Sequence, residues 1–83
     1  MDKLFHRLDL AEKQIATVKH KVARRDLLKM VKAIDRAIVA ADMESVECRR
    51  MHKETIRYRE LVKQTDDLLT NLEKHITFAA LLG

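Results

Sequence analysis

Eighty-three residues with a formal charge of +4 and 36% charged side chains suffice for one domain, and chains this short bury only about 60% of their unfolded surface. One glycine, no proline, no tryptophan and only three aromatics (Phe5, Tyr58 and Phe78) leave few turn formers and exclude collagen, a β-sandwich and an enzyme with a roomy interior. The single cysteine, Cys48, has no partner for an internal disulfide, so a reducing cytoplasm is the expected compartment. The longest apolar runs, Ala37 to Ala41 and Phe78 to Leu82, fall far short of the roughly 20 residues of a membrane span, and Met1-Asp2-Lys3 does not open a signal peptide.

The first predicted element carries apolar residues in alternating steps of four and three: Leu4, Leu8, Ala11, Ile15, Val18, Val22. That is a heptad seam on one helix face. A step of five passes Arg24-Arg25-Asp26, and the seam resumes as Leu27, Val31, Ile34, Ile38, Ala41. The predicted turn follows at residues 41–45, where Asp42 or Ser45 can cap a new helix and Glu44 and Glu47 suit its positive end. The second arm then runs Met51, Thr55, Tyr58, Val62, Thr65, Leu69, Leu72, Ile76, Ala79.

Folded back antiparallel, these seams mate in one register, with Ile34 against Met51, Val31 against Thr55, Leu27 against Tyr58 and Leu8 against Ile76. The expected fold is therefore all-α: an antiparallel helical hairpin forming one domain over 1–83, with arms of about 2–41 and 44–82, able to assemble into a four-helix bundle. The alternative is a three-helix bundle, with the first arm broken at Arg24-Arg25-Asp26 and Asp26 as the cap. In the hairpin register Phe5 and Phe78 would close the open end as an aromatic clasp.

Eleven of the fifteen residues from Leu27 to Ala41 are apolar, more than one partner helix can cover. The leftover surface is the expected partner-binding site: Leu28 with the stripe Met30, Ala33, Ala37, Ala40 on the first arm, and Leu61 and Leu68 on the second. Small side chains at steps of three and four let another helix approach closely. The expected partner is a protein, either a foreign helix or a second copy of the chain.

Other chemistry is not expected. The basic run Lys19 to Arg25 would lie across from Glu60, Asp66 and Asp67 in the hairpin register, and no aromatic residues interleave it for stacking bases, so nucleic acid is not the predicted partner. Glu44, Cys48 and His52 share a helix face but lack a fourth ligand for a structural zinc site, so neither a metal nor another cofactor is expected. Arg7 and Arg24 loosely match the arginine spacing of the intertwined chorismate mutases, but Asp35 stands near the place of that family's catalytic lysine. No Ser-His-Asp or phosphate-loop arrangement occurs, and the chain is expected not to be an enzyme.

An amphipathic first arm, an acidic turn at Asp42-Met43-Glu44-Ser45 and an apolar second helix containing Tyr58, Leu61, Leu68 and Leu69 resemble the small helical-hairpin co-chaperones of bacterial type III secretion. The resemblance spans nearly the whole chain. It implies a cytoplasmic adaptor that joins a larger helical-repeat chaperone to hold needle subunits unpolymerised. The alternative function is a homodimeric structural coiled-coil module of a larger scaffold.

Overall fold

The computed structural model describes residues 2–82 and holds three helices: α1 (Asp2–Ile15), α2 (Lys21–Met51) and α3 (Ile56–Leu81). They run up, down and up, so α1 and α3 are parallel. The molecule measures 49 × 16 × 16 Å, a long axis set by α2, whose 31 residues extend about 46 Å at 1.5 Å each. The 14 residues of α1 cover less than half of that length.

This is the three-helix arrangement and not the two-arm hairpin. The expected turn at 41–45 lies inside α2, where the Ser45 hydroxyl donates to the Asp42 carbonyl at 2.5 Å and stays within its own helix instead of capping a new one. The chain reverses ten residues later. At the end of α2, His52 adopts the left-handed conformation (φ 57°, ψ 31°), its N–H reaches the Arg49 carbonyl, and the Lys53 N–H reaches the Cys48 carbonyl at 3.1 Å. This is the Schellman closure, with histidine where glycine is usual. Thr55 then caps α3, its hydroxyl oxygen accepting from the Tyr58 N–H at 3.0 Å.

The break in the first arm falls before the expected Arg24-Arg25-Asp26. Residues Ala16 to His20 carry it: the Thr17 hydroxyl donates to the Gln14 carbonyl at 2.6 Å, and His20 caps α2 by accepting from the Ala23 N–H at Nδ1, 3.2 Å. Arg24 secures the corner by donating to the Val18 carbonyl at 3.1 Å. Asp26 lies within α2 and caps nothing.

The seams themselves are the core. Leu4, Leu8, Ala11 and Ile15 of α1, Leu27, Val31, Ile34 and Ile38 of α2, and Thr65, Leu69, Leu72 and Ile76 of α3 are all buried. By register they sort into layers, from Leu4, Ile38 and Thr65, through Leu8, Ile34 and Leu69 and then Ala11, Val31 and Leu72, to Ile15, Leu27 and Ile76. Ile34 thus faces Leu69 instead of Met51, Val31 faces Leu72 instead of Thr55, and Leu27 faces Ile76 instead of Tyr58. The register has slipped by about 18 residues, or five helical turns. A slip by whole turns keeps every apolar residue on its face, which is why the wrong register also mated its seams. Among the described residues Thr65 is the one polar member of the buried set, and its hydroxyl donates to the Leu61 carbonyl at 2.7 Å.

Parallel α1 and α3 also dissolve the expected aromatic clasp. Phe5 begins α1 and Phe78 ends α3, so the two rings lie at opposite ends of the bundle and both are exposed.

Candidate interaction surfaces

Helical rotation splits the expected site residues into two groups. On α3, Leu61 and Leu68 flank the buried row on one side, while Asp66, Thr70 and Glu73 flank it on the other and face α1. Arg7 of α1 fixes that side by donating to Asp66 at 2.5 Å, to Glu73 at 2.7 Å and to Thr70 at 3.4 Å. These bonds, that of Glu73 foremost, hold the Arg7 guanidinium above its ordinary pKa. On α2, Met30, Ala33, Ala37 and Ala40 lie on the flank toward α3 and away from α1. The antiparallel register sets Ala40 beside Leu61, Ala37 beside Gln64 and Ala33 beside Leu68.

By helical rotation and register, six of the seven expected residues therefore fall on one side of the α2–α3 pair, along the groove between the two helices and opposite α1. Met30, Ala37, Ala40 and Leu61 are half-buried, and Ala33 and Leu68 are exposed. Leu28 is the exception. It lies on the α1 side of α2 and lines a separate concavity with Glu12, Arg25, Lys29, Val31 and Lys32.

The same register removes the neutralisation expected for the basic run. Residues 19–25 lie level with the apolar end of α3, not with Glu60, Asp66 and Asp67, and Asp66 is taken by Arg7. Among the described residues, none of Lys19, Lys21, Arg24, Arg25, Lys29, Lys32 and Arg36 forms an ion pair. The exposed positions Lys21, Arg25, Lys29, Lys32 and Arg36 follow steps of four, four, three and four, one continuous stripe along the outer face of α2. Sequence reasoning missed it because the assumed register supplied counter-charges that are elsewhere.

Glu44, Cys48 and Thr55 meet at the α2–α3 corner, where the Thr55 hydroxyl donates to Glu44 at 2.9 Å and the Thr55 N–H donates to the Cys48 sulfur at 3.4 Å. This is a joint between two helices, and among the described residues no three His, Cys, Asp or Glu side chains are grouped to hold a metal ion. Arg7 and Arg24 are both bound to groups of their own chain. No helix of the described residues is long and apolar enough to cross a membrane.

No family model, no curated protein and no solved structure matches the chain.

Proposed function

We propose that this protein is a non-catalytic helical adaptor or co-chaperone that captures a helix of a protein partner in the α2–α3 groove, in the manner implied by the resemblance to type III secretion co-chaperones. The observation that carries the reading is the convergence of Ala33, Ala37 and Ala40 with Leu61 and Leu68 on the side of the α2–α3 pair that α1 leaves open. Alanines keep the backbone of α2 accessible to close approach, and the leucines supply apolar area that a docking helix removes from water. Cytoplasmic location belongs to the same reading.

The test is co-expression with the helical-repeat chaperone and needle subunit of the source organism, followed by co-purification. The wild-type chain is expected to form a stable complex. Ala37→Glu and, at the exposed neighbouring position, Ala33→Glu should abolish it by steric overlap and unpaired charge, with helicity by circular dichroism retained. A wild-type chain that forms no complex with either protein, or a complex untouched by both substitutions, overturns the reading.

A further inference from the structure

We propose that the outer face of α2, on its α1 side, is a second docking surface and that its occupant is an acidic amphipathic helix of a protein partner. The inference rests on the adaptor reading only in taking the partner to be helical, since the face itself is distinct from the α2–α3 groove.

Charge is the first observation. From Lys21 to Arg36, α2 carries six basic and two acidic residues, and its first turn holds no acidic side chain. Cations at a helix N-terminus oppose the macrodipole, and like charges four apart repel within the helix. Lys21 lies in that first turn, the pairs Lys21–Arg25, Arg25–Lys29 and Lys32–Arg36 each stand four residues apart, and among the described residues none of these five cations forms an ion pair. Counter-charge from outside relieves both.

Shape and apolar character are the second. Arg25, Lys29 and Lys32 line a concavity between α1 and α2 together with Leu28, Val31 and Glu12, so three cations outnumber one carboxylate around an apolar floor. A glutamate side chain, with its methylene stem and terminal carboxylate, matches that combination. Beyond the concavity the face continues with exposed Val39, Met43 and Val46 (44%, 69% and 57%), which sit about one to three turns past the last cation of the stripe.

A helix bearing an apolar seam flanked by carboxylates at steps of three and four repeats the spacing of the cations, about 6 Å per step of four, and covers the apolar line at the same time. A nucleic-acid backbone matches the charge but leaves Leu28, Val39, Met43 and Val46 wet, and the stripe has no aromatic residue to stack a base.

The probe is a synthetic acidic helix of about three heptads, with leucine and isoleucine at the seam and glutamate along one flank, labelled for fluorescence anisotropy. The wild-type chain is expected to bind it at low ionic strength and to lose about tenfold in affinity when salt shrinks the screening length below the width of the contact. Lys29→Glu with Lys32→Glu should weaken binding by more than tenfold, and Leu28→Ser by a smaller factor. Neither change should reduce helicity, because these side chains are exposed. Ala33→Glu in the groove should leave probe binding intact, which separates failure of this face from failure of the groove. Absence of binding at low salt, unchanged affinity after the double charge reversal, or displacement of the probe by duplex DNA at lower concentration than by unlabelled peptide overturns the proposal.

Discussion

The two ends of the molecule are built from the same pair of helices and differ in whether a third one is present. From Leu4 toward the α3 C-terminus, α1 completes each layer, and Leu8, Ile15, Ile34, Leu69 and Leu72 are at most 3% exposed. Past Leu4, toward the α2–α3 corner, only the polar start of α1, Asp2 and Lys3, still borders the pair, and it adds no buried apolar residue. Ala41 is still buried, but Ser45, Cys48, Tyr58 and Val62 are half-buried, and Met43, Val46, Met51 and Ile56 stand in water. Two helices shield one seam from two sides and leave the remaining sides open, so the same heptad pattern yields a dry core at one end and a wet one at the other. The corner is held instead by polar joints: the αL closure at His52, the Thr55 cap and the Glu44–Thr55–Cys48 cluster.

The widest split between the ends is expected from core truncation. Leu69→Ala removes a fully buried side chain from a three-membered layer and should cost about 2–5 kcal/mol, most or all of the stability of a domain this small. Val62→Ala, on the same helix but at the edge of the core where α1 begins, starts only half-buried and should cost about 1 kcal/mol or less. Urea unfolding of the two variants reads the difference directly, and equal losses would mean that the corner layers are as tightly packed as the rest.

Polar joints should matter most where packing is weakest. Thr55→Ala removes the α3 cap and the donor to Glu44 in one step, with an expected cost of about 1–2 kcal/mol. Hydrogen exchange localises the loss: amides of residues 44–51 and 56–60 should already exchange faster than those of 27–38 and 65–76 in the wild type, and Thr55→Ala should widen that gap. A uniform acceleration along the whole chain would show the corner to be part of one cooperative unit.

The faces of the helices were legible in the sequence, and the places where the chain turns were not. Every position from Leu27 to Ala41 in the α2 seam, and from Thr65 to Ala79 in the α3 seam, is buried as its spacing foretold, because helical periodicity is a property of the sequence alone. Periodicity repeats every turn, so it is blind to the choice between pairing Ile34 with Met51 and pairing it with Leu69. Turn chemistry should have decided, but with its only glycine at position 83 the chain turns on residues that carry weak signals. His20 is an uncommon cap and His52 an uncommon αL residue, whereas Asp42 and Ser45 look like caps and sit mid-helix. The grouping of Met30, Ala33, Ala37 and Ala40 does not depend on the choice of pairing, because they share a flank of α2 in any register, as Leu61 and Leu68 share one of α3. The expected neutralisation of the basic run did not survive the change of pairing, since that depended on register alone.

The last expected effect is small, stabilising and specific to the corner. His52 holds φ 57°, a conformation that costs an L-residue with a Cβ about 1–2 kcal/mol relative to the right-handed region. Glycine pays no such penalty, although its freer unfolded chain returns part of the gain. His52→Gly should therefore stabilise the protein by about 0.5–1 kcal/mol, a rise of about 2–8 °C in Tm for a domain of this size. Placed in the Thr55→Ala background, it should recover part of the lost protection in residues 44–51, because both changes act on the same reversal of the chain. A fall in Tm on His52→Gly would mean that the imidazole contributes contacts at the corner worth more than the strain of its backbone.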